Sequence, residues 1–208
     1  MKFTQWFTIA LFLLNTQYSI AQNFDINLLK QINGNETKFK NDVLKATAQS
    51  VTVVNIVAPL ALLTTGLIKH DKQLQKNAAY MAGGYLFSAV VTHGLKRTIQ
   101  RQRPFDKYTF IIKRDEGGSY SFPSGHTSAA FYAASFLSIL YPKWYVIAPS
   151  MLWASTVGYA RMYQGVHYPT DVLAGAIVGA GSAWVAYKAQ QWVNKKKVNK
   201  PKAAAVTL

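Results

Sequence analysis

Apolar residues recur along this chain in two registers. Between residues 22 and 50 they stand at helical spacing among polar ones: Phe24, Leu28, Leu29 and Ile32, then Phe39, Val43 and Ala46, with Gly34 between the groups. That pattern predicts two short amphipathic helices, either lying on a membrane interface or packed as ordinary helices on a bundle. From Val51 the pattern becomes a series of uncharged runs, 51–68, 77–95, 127–140, 144–160 and 172–187, each predicting a helix. Pro59 inside the first run is tolerable where neighbouring helices satisfy the freed carbonyl. Gly175 and Gly179 in the last suit close helix packing. The expected fold is all-α, a membrane-embedded bundle of about five transmembrane helices.

The N-terminus adds to this. MKFTQWFTIALFLLNTQYSIAQ has a basic Lys2, a short apolar stretch from Trp6 to Leu14, and Ser19-Ile20-Ala21 in the small-x-small pattern of a cleavage site. Residues 1–21 therefore read as a signal peptide, with an uncleaved sixth span as the alternative. Either way residue 22 begins outside the cytoplasm. The expected divisions are 1–21, amphipathic helices over 22–50, the main domain over 51–190, and a basic tail over 191–208.

Charge refines the picture. Only 15% of the 208 residues are charged, against about 25% in soluble proteins, yet the formal net charge is +15. The basic residues fall in clusters between apolar runs, which suits membrane flanks better than nucleic acid. Threading the runs from outside puts Lys69–Lys76, Lys143 and the Lys-rich tail inside, as the positive-inside tendency asks. One cluster disobeys: Lys96, Arg97, Arg101, Arg103, Lys107, Lys113 and Arg114 lie in an outer loop. A soluble helical domain is the rival, because 16 residues give only about 24 Å against a core of about 30 Å. Five uncharged runs with charges alternating by side favour the membrane. The chain has no cysteine, so disulfides and thiolate chemistry are excluded.

Three clusters carry candidate chemistry. In KRTIQRQRP, Lys96 and Arg103 are nearly two helical turns apart and can share a side before Pro104 ends the helix. A solvated basic loop is the plainer reading of this cluster alone. In PSGH, Ser124 is a good N-cap, Gly125 lets backbone approach a ligand, and the helix beginning there offers free N–H groups to an anion, with His126 at its mouth. The plainer reading is a capped helix with a surface histidine. In RMYQGVHYPTD, Asp171 stands four residues after His167 and can fix its Nδ1–H tautomer, leaving Nε2 as a nucleophilic lone pair; Arg161 precedes them. The plainer reading there is an N-capping aspartate beside a structural histidine.

Taken together, in order and spacing, these clusters resemble the signature of the type 2 phosphatidic acid phosphatase (PAP2) superfamily: K-x6-R-P, then P-S-G-H, then S-R-x5-H-x3-D. The resemblance runs from about residue 51 to 190 and departs once, with Ala160 where the family has serine. A serine there would add a hydrogen bond to phosphate. The resemblance implies a PAP2/haloperoxidase-like core and a metal-independent, cofactor-free lipid phosphatase. His167 would form a phosphohistidine, Asp171 would orient it, and His126 would serve the leaving group and then water. Lys96, Arg103, Arg161, Ser124 and the Gly125 N–H would hold phosphate, which also accounts for the basic outer loop. The implied substrates are lipid phosphates or pyrophosphates of the undecaprenyl pyrophosphate, phosphatidylglycerophosphate or lipid A type, not nucleic acid. The implied setting is a bacterial inner membrane with the site facing the periplasm or exterior. The alternatives are a soluble periplasmic acid phosphatase of the same superfamily, a lipid phosphotransferase, a vanadium haloperoxidase, and a non-catalytic binder of anionic lipid. His93 reads as bundle-facing, with a support role open because it lies one turn before Lys96. Trp144, Trp184 and Trp192 read as interface anchors.

Overall fold

A computed structural model describes residues 24–34 and 36–198, and every regular element among them is a helix. In chain order these are α1 (24–34), α2 (Lys38–Ile68), α3 (Lys72–Ile99), α4 (Pro104–Lys107), α5 (Gly125–Leu140), α6 (Trp144–Tyr163) and α7 (Pro169–Val198). The signal segment expected at 1–21 and residues 199–208 of the tail lie outside the described residues.

Capping sets the starts. Side chains of Thr37, Asp71 and Ser124 accept first-turn N–H groups of α2, α3 and α5. No breaker lies between Lys38 and Val51, so the second amphipathic group and the first apolar run form one helix. The division expected at 50/51 is thus not a break in the chain. Helix α1 packs on protein rather than on an interface. Its Leu29 is buried with Ile111 and Tyr168, and Asn33 accepts from the Ile112 N–H while donating to the Ile112 and Tyr163 carbonyls.

Helix α5 is central, packed against α7, α6, α3 and α2. Its buried face is built from Ala129, Ala130, Ala133 and Ala134, small enough to let neighbours close in. A Cβ on Gly175 would sit 2.6 Å from the Ser124 carbonyl oxygen, and one on Gly179 would overlap the Ser128 carbonyl. Helix α7 therefore presses directly on the first turns of α5 and fixes where that helix begins.

Small and hydroxyl-bearing residues surround a few large buried ones such as Tyr132, Phe136 and Met81, while many large apolar side chains point outward. Ile56, Leu60 and Leu67 on α2, Phe87 and Val90 on α3, Leu152 on α6, and Leu173 and Ile177 on α7 are all exposed. A water-soluble bundle shows the reverse. Among the described residues, α2 and the Pro169–Lys195 part of α7 are long and apolar enough to cross a membrane. Of the about five transmembrane helices expected, these two meet that measure. Helix α5, with 16 residues, reaches only about 24 Å and is enclosed by its neighbours.

The bundle has two chemically different ends. The α2–α3 and α5–α6 turns share one end, where Gln73, Asn77, Leu140 and Gln190 surround a polar cavity and Lys76 donates to Asn194 of α7. The other end gathers α1, the 100–124 loop, the close of α6 and the start of α7. All three motif clusters lie there.

Candidate active site

The first cluster reaches the site differently from its helical spacing. Helix α3 stops at Ile99, closed by Gln100 at φ 51°, so Lys96 is in its last turn and Arg103 stands in extended chain capping α4. The two cations converge nonetheless. Lys96 Nζ donates to the Tyr120 carbonyl at 2.5 Å. Arg103 donates from Nε to the Ser119 carbonyl at 2.7 Å and from a terminal nitrogen to the Val166 carbonyl at 2.8 Å. Gly117 allows this, since a Cβ there would lie 2.6 Å from the Arg103 side chain. Arg161, in the last turn of α6, donates to Asp115 at 2.5 Å and Gln164 at 2.6 Å, and its buried Nε has no protein acceptor. Burial alone would raise the Asp115 carboxyl, but Arg161 overrides it and holds it below its ordinary value.

His167 sits in the bend between α6 and α7, buried. Arg103 comes within 3.4 Å of its Nε2. A guanidinium only donates, so Nε2 is the ring's lone-pair nitrogen and Nδ1 carries the proton. Nδ1 faces Asp171 Oδ2 at 3.6 Å, slightly longer than a hydrogen bond. Burial, ahead of the neighbouring guanidiniums, pulls the imidazole down to about 3 despite Asp171, so the ring is neutral at pH 7.

Asp171 is held from every side. Arg101 donates to Oδ1 at 2.6 Å, the Tyr168 N–H donates to Oδ2 at 3.0 Å, and the Ser121 hydroxyl also donates to Oδ2. The same Arg101 bridges to Asp25 of α1 at 2.7 Å and stacks over the Tyr168 ring. Asp25 also accepts from the Thr170 N–H at 3.0 Å. Sequence reasoning missed Arg101, Ser121, Asp25 and Asp115. Arg101 was visible two residues before Arg103, but nothing local marks Asp25 or Asp115 as partners.

A cavity of about 320 Å³ opens beside these groups, lined by Lys96, Ser119, Gly125 and His126 near its head and by Val51, Tyr85 and Ala129 further along. A Cβ on Gly125 would meet only a Thr92 methyl at 4.0 Å, so there is room for a ligand against the backbone. Ser124 is fully buried, its oxygen accepting from Thr127 N and Oγ1 at 3.4 and 2.8 Å, so it acts as the cap of α5. Two readings change. His93 is exposed and lines the cavity instead of facing the bundle, because one turn of α3 puts it on the Lys96 side. Ala160 is buried with Leu44, Ala48 and Tyr163, on a different face of α6 from Arg161. A serine at 160 would therefore point into that apolar cluster and not toward phosphate.

The sequence profile of the PAP2 superfamily matches residues 77–195, more than half of the chain. The chain belongs to the PAP2 superfamily. It is 27% identical over 201 residues to an undecaprenyl-diphosphatase of Sulfolobus acidocaldarius, covering 91% of each protein. It is 37% identical over 94 residues to a lipid A 4'-phosphatase of Bacteroides thetaiotaomicron, covering 45% of this chain and 42% of that protein. A lipid A 1-phosphatase of Rhizobium johnstonii is 38% identical over 111 residues, 47% of this chain and 43% of that one. The match thus spans less than half the length of these two relatives. Among solved structures, the transmembrane PAP2-type phosphatidylglycerolphosphate phosphatase of Bacillus subtilis superposes with a TM-score of 0.68 at 21% identity, over 89% of this chain and 96% of that one. LpxE of Aquifex aeolicus superposes with a TM-score of 0.64 at 24% identity, over 79% and 95%. The fold is that of the membrane-embedded PAP2 bundles.

Proposed function

We propose that the protein is a membrane lipid phosphatase whose nucleophile is His167. The observation that carries this reading is the 3.4 Å approach of Arg103 to His167 Nε2, which puts a lone pair beside a phosphate-binding cation. The lone pair attacks phosphorus in line while His126 gives its proton to the departing lipid oxygen. In the second half, His126 takes a proton from water, the water oxygen attacks phosphorus, and the P–N bond breaks to release phosphate. Lys96, Arg103 and Arg161 hold the equatorial oxygens, exchanging their bonds to the Ser119 and Tyr120 carbonyls and Asp115 for bonds to phosphate. The Gly125 N–H adds the helix N-terminus.

The exposed apolar belt and the relatives' names support a lipid phosphate or pyrophosphate as substrate. Lys69–Lys76, Lys143, and Lys188 and Lys195 near the close of α7, at the opposite end, support a cytoplasmic-membrane setting with the site facing outward. The test is phosphate release by purified protein in detergent with EDTA present, across undecaprenyl pyrophosphate, phosphatidylglycerophosphate and lipid A. Release from at least one, undiminished by EDTA, is expected. No release overturns the phosphatase reading, and loss on adding EDTA overturns the metal-independent mechanism.

Arg101 acts through Asp171, so its replacement separates orientation from binding. Arg101→Gln is expected to lower kcat about tenfold or more with KM within about threefold, and Arg101→Lys to recover part of the loss. A fall confined to KM would show that Arg101 binds substrate directly.

A further inference from the structure

Helical hydroxyls in this bundle have a habit. Thr47, Thr64, Thr98, Ser138 and Thr156 each bond back to the carbonyl four residues earlier. Three buried ones beside the cavity do not. Ser88 and Thr92 of α3 and Ser128 of α5 bond only to one another, with Ser88 Oγ 3.0 Å from Ser128 Oγ and Thr92 donating to Ser128 Oγ at 3.0 Å. All three are buried, and all three line the cavity that begins at Lys96 and His126.

Counting protons shows what the cluster lacks. Three hydroxyls bring three protons, and two are used between the oxygens. Whichever way the Ser88–Ser128 bond points, one serine O–H is left without an acceptor. That donor lies on the cavity wall, where a ligand oxygen can accept from it.

Its place along the cavity identifies that oxygen. Thr92 and Ser88 lie one and two turns before Lys96, about 6 and 12 Å along α3. Tyr85, three residues further from Lys96 than Ser88 along α3, and Val51, Ala89 and Ala129 supply apolar lining. With the phosphate at Lys96 and a hydrocarbon tail away from it, the triad meets the part of the lipid joining them, about four to eight bonds of about 1.5 Å from phosphorus.

Building on the phosphatase reading, we infer that Ser88, Thr92 and Ser128 form a specificity site that donates to an acceptor oxygen in this linker. The site favours lipid phosphates with an oxygenated linker, an acyl ester or an acylated sugar, over those whose phosphate is joined directly to hydrocarbon.

The full chain in detergent is assayed on dioctanoylglycerol phosphate, an acylated glucosamine phosphate and farnesyl phosphate. Wild type is expected to prefer at least one oxygenated substrate. Ser88→Ala, Ser128→Ala and Thr92→Val should each lower the ratio of its kcat/KM to that for farnesyl phosphate about tenfold, and Thr92→Ser should retain the ratio. The substrate whose ratio falls names the linker. Unchanged ratios in variants with wild-type melting temperatures, or equal falls on all three substrates, overturn the inference. If Ser128→Ala fails to fold, Ser88→Ala and the Thr92 pair decide alone. Wild type releasing phosphate from none of the three overturns this inference before any variant is compared, while the phosphatase reading stands or falls separately on the assay with undecaprenyl pyrophosphate, phosphatidylglycerophosphate and lipid A.

Discussion

Alanine at position 167 is expected to cut phosphate release at least about a thousand-fold while leaving the bundle folded. The side chain removed supplies the lone pair that stands 3.4 Å from Arg103. Folding should survive because the groups left behind keep partners. Asp171 retains Arg101, Ser121 and the Tyr168 N–H, and Arg103 retains the Val166 carbonyl. Melting in detergent checks the fold, and a phosphate assay checks the chemistry. A covalent adduct trapped at alkaline pH, lost on acid treatment as a phosphoramidate is, should appear in wild type and vanish in His167→Ala. Release within tenfold of wild type would refute the nucleophile assignment.

Valine at position 179 should be the most damaging change to the fold. Its Cβ would overlap the Ser128 carbonyl and approach the Tyr132 nitrogen to 2.8 Å, both backbone atoms of the central helix. Side chains can swing aside, but helical backbone cannot without moving α5 or α7 as a body. A cost of about 3 kcal/mol or more follows. Gly181 on the same helix is the control, because nothing lies within 4 Å of its Cβ position. Gly181→Ala should be neutral or stabilising by up to about 1 kcal/mol. Size-exclusion profiles and thermal unfolding in detergent read both. A well-folded Gly179→Val with wild-type melting would show that α5 and α7 are not pressed together as described.

The chemistry was more legible than the scaffold. His126, His167, Asp171 and the three cations stand out because functional groups at fixed spacing survive as pattern whatever the chain does between them. Arg103 shows the limit: its spacing from Lys96 suggested one helix, yet a left-handed Gln100 ends α3 before it. A turn built by one residue of no special type leaves no mark in hydropathy. Gly175 and Gly179 were legible as packing residues, since small side chains in an apolar run have few other uses. Asp25 was not legible, because its partners Arg101 and Thr170 are distant in sequence and only folding brings them together. Ala160 misled for a related reason. Adjacent helical residues point about 100° apart, so standing beside Arg161 says little about facing the same cavity.

The bond from Asp25 through Arg101 to Asp171 means that the catalytic region is not a transferable module. Residues 77–195 carry every motif position, yet the carboxylate that helps hold Arg101 in place arrives from α1, upstream of them. A chimera joined at residue 77 would inherit the proposed nucleophile and the proposed phosphate-binding cations and lose one end of the brace. Chain engineering at the N-terminus, by truncation past Asp25 or by a fusion that tilts α1, should be felt at the imidazole.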